Sequence, residues 1–299
     1  MQLLYMIESA GDEKLFDNPV NELRKQFEKT RQLFVYILFL ITETARYAET
    51  DALKRGAKNI TTREDLNVNI KIAGNEWVWA ILENPVFRKF LEADKPQLRV
   101  DKTLLRKLYR ELAESPEYIK YIGAAGRDHK QERAILQFLF TQLMLPNEAF
   151  TAHLEEQFSN WEDDAEMMEQ LVQGYLQKPD SFSLEEMLTE EKWQFGSSLL
   201  TTVLNKKEHT MDLIKPKLKN WDAERIAALD MILMRMGVCE FLYFETIPPK
   251  VTINEYIDLA KEYSTDQSGH FVNGVLDSLH KELAAGDAWQ KIDFKKKSV

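Results

Sequence analysis

Three charges interrupt a stretch that is otherwise almost wholly apolar: Asp230, Arg235 and Glu240, set among Ile226, Leu229, Ile232, Leu233, Met236, Phe241 and Leu242. Steps of five residues turn a helix by about 140° each, so the three do not share one stripe. A charge inside an apolar helix needs a partner or an opening to solvent. An internal ion pair or helix-end contact is one reading of these residues, and a binding contact is the other. The remaining chemistry-bearing residues are scattered. His129, His153, His209, His270 and His280 stand at no metal-ligand spacing from one another or from the single Cys239. No nucleophile-elbow, Walker or dinucleotide-binding pattern occurs, and Gly123-Ala124-Ala125-Gly126 lacks the lysine and the length of a phosphate loop. Glu185, Glu186, Glu190 and Glu191 suit the opening turns of a helix, where carboxylates are favourable. With no catalytic constellation, the expectation is a protein that is not an enzyme and carries no cofactor and no metal.

The elements that must position these residues are helical. Residues 222 to about 244 are apolar nearly all round, the mark of a helix surrounded by protein, and Ala227, Ala228 and Gly237 allow close neighbours. Ile247-Pro248-Pro249-Lys250 is expected to end that helix. Thr252-Ile253-Asn254-Glu255 fits a capping box for the next, and Ser264-Thr265-Asp266-Gln267 repeats the pattern before a third. The third carries the stripe Phe271, Val272, Val275, Leu276, Leu279 and Leu283. Earlier in the chain, Asn18-Pro19 opens a long helix to about Gly56, with Leu23, Phe27, Phe34, Leu38, Ile41, Ala45 and Ala48 on one face. Trp77, Trp79, Phe87 and Phe90 are expected to pack against it. Leu104, Leu105, Leu108 and Leu112 make an amphipathic helix that stops near Ser115-Pro116. Residues 131–176 align with 191–236 without a gap at an offset of 60, with Asn160-Trp161 meeting Asn220-Trp221, which suggests an internal duplication.

Composition supports helix throughout. Of 299 residues, 44% are hydrophobic and 29% charged, against only 11 Gly and 9 Pro. The run Leu33 to Ile41 is far too short to span a bilayer, and no secretory pattern opens the chain, so a cytoplasmic protein with no membrane partner is expected. One cysteine is compatible with a reducing compartment. A net charge of −10 means that any grip on nucleic acid must use a local patch or a partner's charge. Lys206, Lys207, Lys215, Lys217 and Lys219 form one basic stretch, and Lys295-Lys296-Lys297 close a basic tail; both suit a solvated face as well as an RNA contact.

The order Asp230-Met231-Ile232-Leu233-Met234-Arg235, Glu240, Ile247-Pro248-Pro249-Lys250-Val251-Thr252-Ile253-Asn254-Glu255, Leu259-Ala260-Lys261 and Phe271-Val272-Asn273-Gly274-Val275-Leu276-Asp277 resembles the NusB family of transcription antitermination factors. Gln2-Leu3-Leu4-Tyr5 is similar to the Gln-x-Leu-Tyr pattern of such chains; the arginine-rich segment that normally precedes it is absent from these residues. The resemblance implies an all-α, NusB-like helical bundle with a long helical insertion. It divides the chain into an N-terminal helical region at 1–182, a NusB-like C-terminal core at 183–285 and a basic tail at 286–299. Within the first region, core helices would reach about 58 and the inserted helices would follow.

It further implies binding of single-stranded, boxA-like leader RNA of ribosomal RNA transcripts together with the ribosomal protein NusE, and through them an indirect link to the RNA polymerase complex. RNA would be met by Gln267, Ser268, His270, Phe271 and Asn273 at the start of the last helix, with Phe271 stacking on a base. NusE would be met by Tyr5 and Asp230. A helix amino end suits phosphate, although His270 loses its charge above about pH 6.5. A helical scaffold that keeps the fold without RNA binding is the alternative, favoured by the acidic balance. Fusion to an RNA methyltransferase, also known for such domains, would need a glycine-rich catalytic domain that this chain lacks.

Overall fold

The computed structural model describes residues 1–10, 18–178, 189–218, 226–265 and 267–286, and among them every regular element is a helix. In chain order these are α1 (Gln2–Ser9), α2 (Pro19–Gly56), α3 (Arg63–Leu66), α4 (Glu76–Glu83), α5 (Pro85–Asp94), α6 (Lys102–Glu114), α7 (Pro116–Gly123) and α8 (His129–Phe138). They continue as α9 (Glu148–Gln157), α10 (Trp161–Gln177), α11 (Glu190–Asn205), α12 (Lys207–Ile214), α13 (Ala228–Tyr243), α14 (Pro249–Tyr263) and α15 (Ser268–Ala284). The chain divides into two compact units, one of residues 1–25 and 190–299, the other of residues 26–189.

The 26–189 unit is built on α2. Asn18 accepts the Asn21 N–H at 3.0 Å and Pro19 takes the first helical position, where a missing N–H costs nothing. Leu33 to Ile41 are buried without interruption, so the middle of α2 is enclosed on every side and not on the single face that the periodicity suggests. Phe87 is fully buried against this core, Trp77 and Phe90 pack at its edge, and Trp77 anchors itself by donating its indole N–H to the Leu176 carbonyl at 2.8 Å. Trp79 departs from expectation: it lies one helical step off the packed face of α4 and is exposed.

Short helices in this unit start on side-chain caps. Asn75, Asn84, Asp101, Ser115, Asp128 and Asn147 each accept from a following backbone N–H. Thr62 and Asp65 cap each other reciprocally at 3.1 Å, and Lys58 holds the Asp65 carboxyl down to about 2. A buried carboxylate ties the second half together. Glu132 accepts from the Tyr121 hydroxyl at 2.8 Å, from Arg127 at 2.8 Å and from the Glu76 N–H at 3.0 Å.

The suggested duplication meets the element order only in part: α8 with its wide turn to Met144, and α9, precede α11 and α12 by about 60 residues, whereas Trp161 of α10 precedes the described start of α13, Ala228, by 67. Trp161 is buried where α10 begins, while Trp221 lies outside the described residues.

In the other unit, α13, α14 and α15 pack around Ile232, Leu233, Val238, Phe241, Tyr256, Ala260, Val272, Leu276 and Leu279, with Leu3, Leu4 and Ile7 of α1 joining the same core. The expected start of the first of these helices at 222 falls outside the described residues; α13 is described from Ala228. The two cap expectations are corrected. Pro249 does not merely end what precedes it: it occupies the first position of α14, after Pro248. Thr252 therefore lies a turn inside α14, fully buried, and serves another purpose described below. α15 begins at Ser268 after Gln267, with no side-chain cap on Gln267.

Gly237 is where α13 admits its neighbours. A Cβ there would meet Leu276 side-chain carbons at 2.8 and 3.0 Å and the Tyr256 ring at 3.3 Å. Gly237→Ala is therefore expected to destabilise the fold by about 1–3 kcal/mol despite alanine's better helix propensity, seen as a lower urea midpoint. An unchanged or raised midpoint would show that Leu276 yields freely.

Candidate RNA and partner interface

Each of the three α13 charges holds a different neighbour. Asp230 is only 5% exposed and sits in the first turn of α13, where a carboxylate is favoured. Its Oδ1 accepts from the Ser264 hydroxyl at 2.6 Å and its Oδ2 from the Ser268 hydroxyl at 2.8 Å. The Ser268 oxygen in turn accepts the Thr265 N–H at 3.1 Å and lies 2.8 Å from the Thr265 hydroxyl. The junction between α14 and α15 is thereby tied to the start of α13.

Arg235 is almost fully buried. It pairs with Glu8 of α1 and donates to the Val203 carbonyl of α11 at 3.1 Å; Glu8 also lies 3.7 Å from the Lys207 ammonium. Glu240 accepts from Thr252 at 2.8 Å and from Tyr256 at 2.6 Å, which fixes α14. Burial, then the Glu240 charge, pushes the Tyr256 hydroxyl well up, so it stays a donor. Burial pushes the neighbouring Cys239 thiol up to about 12, so its reactive thiolate is scarce at neutral pH.

The residues expected to meet RNA separate into two groups. Gln267, His270 and Asn273 are exposed on the outer side of the α15 start. Ser268 and Phe271 are not. The Ser268 hydroxyl is spent on Asp230, and Phe271 is 9% exposed within the core stripe, so its ring offers no face on which a base can stack. Their burial follows from α15 packing on α13, which turns positions 268, 271, 272 and 275 inward together.

The two residues expected to meet a partner also differ. Tyr5 is 46% exposed on the outer face of α1, beside Met6, while Leu3, Leu4 and Ile7 face the core. Asp230 has both oxygens engaged internally, so its role in the structure is to position the α15 start.

One residue that the spacing did not single out belongs to the same surface. A Cβ on Gly269 would lie 2.9 Å from Cγ of Lys261 and 3.5 Å from its Cε, so the Lys261 stem crosses the amino end of α15. Lys261 is exposed and pairs with Asp258 at 3.1 Å. Its place in the Leu259-Ala260-Lys261 motif was the available signal. By contrast, the basic stretch at 206–219 is largely engaged inside its own unit: Lys206 stands over the Tyr243 ring, Lys207 faces Glu8 and Lys217 pairs with Glu282. Lys219 and the tail at 287–299 lie outside the described residues. Among the described residues, no group of three or more His, Cys, Asp or Glu is placed to hold a metal, and no helix is long and apolar enough to cross a membrane.

These features define an all-α protein whose internal charges lock helices together. The sequence model of the NusB family matches residues 130–281, and the chain belongs to that family. The match takes in α8–α10 as well as the C-terminal helices. Among relatives named transcription antitermination protein NusB, that of Desulfosudis oleivorans is 39% identical over 101 residues, 34% of this chain and 66% of the relative. That of Salinibacter ruber is 44% identical over 89 residues, 30% of this chain and 56% of the relative. That of Finegoldia magna is 34% identical over 105 residues, 35% of this chain and 77% of the relative. The chain thus spans somewhat less than two thirds of the first two. A solved structure of T. maritima NusB is 34% identical, covering 33% of this chain and 72% of that one, with a TM-score of 0.31.

Removing the Asp230 carboxylate strands the Ser264 and Ser268 hydroxyls at the α14–α15 junction. Asp230→Ala should cost about 2–4 kcal/mol and raise amide exchange over residues 264–270 more than elsewhere in α13–α15. Uniform exchange across these helices would mean that Asp230 does not hold the junction.

Proposed function

We propose that this protein is an RNA-binding transcription antitermination factor that acts with the ribosomal protein NusE on boxA-like leader RNA of ribosomal RNA transcripts, in contact with the RNA polymerase complex only through those partners. Its RNA surface would be the start of α15, with Gln267, His270, Asn273 and Lys261 facing outward. NusE would meet the exposed side of α1 at Tyr5. The observation that carries this reading is the family membership together with the exposed polar face at the α15 start. A helix amino end presents free N–H groups and partial positive charge to a phosphate, and the aliphatic stem of Lys261 lies across it. Base stacking on Phe271 drops out of the mechanism. Ser268 and Phe271 contribute by holding the helix start rigid, and Asp230 contributes through Ser268.

The scaffold alternative, a helical interaction protein without RNA binding, draws on one specific observation. The α15 start already has an internal carboxylate beside it in Asp230, which opposes a phosphate at the same end.

A titration of the full chain with boxA-like RNA, with and without NusE, separates the two. The expected result is binding that tightens when NusE is present and weakens about tenfold in Gln267→Ala/His270→Ala/Asn273→Ala. The Phe271→Leu variant, which keeps an apolar core residue, should bind as wild type does. Binding of NusE alone, insensitive to RNA and to salt, would favour the scaffold.

A further inference from the structure

The chain carries an excess of ten negative charges, yet its strongest basic cluster lies far from α15 in sequence. Between residues 95 and 110 stand Lys95, Arg99, Lys102, Arg106, Lys107 and Arg110, against the single carboxylate of Asp101. The structure places Lys102, Arg106 and Arg110 at successive turns of α6, opposite the buried Leu104, Leu105, Leu108 and Leu112. Four residues rise about 6 Å along a helix, so these cations form a regular row.

Two of them, Lys102 and Arg106, enter a groove of about 580 Å³ that α2 lines from the other side with Glu43, Tyr47, Thr50 and Lys54. Gln97 and Thr103 add further hydrogen-bonding groups. The one carboxylate lining the groove, Glu43, is paired with Arg46 at 3.2 Å. Asp101, at the amino end of α6, accepts the Thr103 N–H at 2.7 Å. Lys54 is steadied by the Tyr47 hydroxyl at 3.0 Å. Among the described residues, Lys102, Arg106 and Lys107 have no ion pair, although the surface elsewhere pairs its cations freely. Arg110 has only a loose contact with Glu114 at 3.9 Å, with both side chains largely exposed.

We propose that this groove and the α6 row grip the phosphodiester backbone of single-stranded RNA, as a second contact separate from the start of α15. The proposal rests on the RNA reading above. The groove itself lies outside the family match, before residues 130–281. Unpaired cations in a row suit a polymer whose charges recur at regular steps, and lysine and arginine facing a groove bind phosphate without reading bases. An overall acidic protein needs such a local field to hold RNA at all. The contact would add affinity without setting sequence.

The test uses the full chain and an unstructured 20-nucleotide polyuridylate, followed by fluorescence anisotropy across a salt series. Lys102→Ala/Arg106→Ala should weaken binding by tenfold or more and flatten the slope of log affinity against log salt by about 1.4, two phosphates at about 0.7 each. Lys102→Arg/Arg106→Lys should restore both. The same loss should appear with boxA-like RNA in the Gln267→Ala/His270→Ala/Asn273→Ala background. All four side chains mutated at Lys102, Arg106, Lys89 and Lys120 are exposed, and melting curves should match wild type. Four outcomes overturn the proposal. A groove variant that keeps the wild-type slope while the α15 variant loses binding removes the groove and leaves the reading of α15 standing. A control variant, Lys89→Ala/Lys120→Ala, with the same loss would reduce the effect to net charge. Polyglutamate competing as well as RNA would assign the groove to acidic protein segments. Failure of the wild-type chain to bind either RNA would remove both contacts together.

Discussion

A buried charge must be met inside the protein, and α13 turns that constraint into architecture. Stripping Asp230, Arg235 and Glu240 of water is expensive unless their hydrogen bonds are completed by neighbours. Because successive charges sit about 140° apart around the helix, the completing groups come from different directions: the α14–α15 junction, α1 with α11, and the body of α14. An apolar helix in the same place would be held by burial alone, which is indifferent to small rotations. The charges remove that freedom. They specify which helix lies where, and Gly237 lets α14 and α15 come close enough for the bonds to form.

This arrangement shapes the surface available to ligands. The carboxylate that anchors Ser268 is the same one that brings negative charge beside the α15 start. Rigidity of that helix end and its attraction for phosphate are therefore in tension, and outward-facing cations must supply what Asp230 offsets. The Lys261 stem crosses the amino end of α15, with its ammonium on Asp258 at 3.1 Å. Tyr5 lies on the outer face of α1, and α1 is tied to α13 by the separate Glu8–Arg235 pair. One central helix thus positions both surfaces through different bonds.

The 26–189 unit shows the same rule with opposite emphasis. Its core is a continuous apolar run of α2 wrapped by short capped helices, and a fully buried carboxylate, Glu132, is satisfied by three donors. Its ionic character lies outside, where α6 keeps leucines inward and cations outward. Such segregation leaves charge free for solution, in contrast to α13, where charge is consumed by the fold.

Much of this was legible in order and spacing. Helix class follows from period and from scarce Gly and Pro, the start of α2 from Asn18-Pro19, and the α15 stripe from its 3.6-residue rhythm. These are local properties, set by backbone geometry within a few residues. The motif around Asp230 and Phe271 carried the family. What the sequence could not assign was direction. Phe271 satisfies the pattern of a stacking residue and of a core residue equally; only packing against α13 turned it inward. Thr252 and Glu255 spell a capping box, but the preceding proline pair starts α14 earlier, and the Thr252 hydroxyl goes to Glu240, twelve residues away. Asp230, Arg235 and Glu240 announced that partners were needed; which partners was a matter of distant chain segments meeting, since a buried charge is satisfied by whatever the tertiary fold brings within about 3 Å.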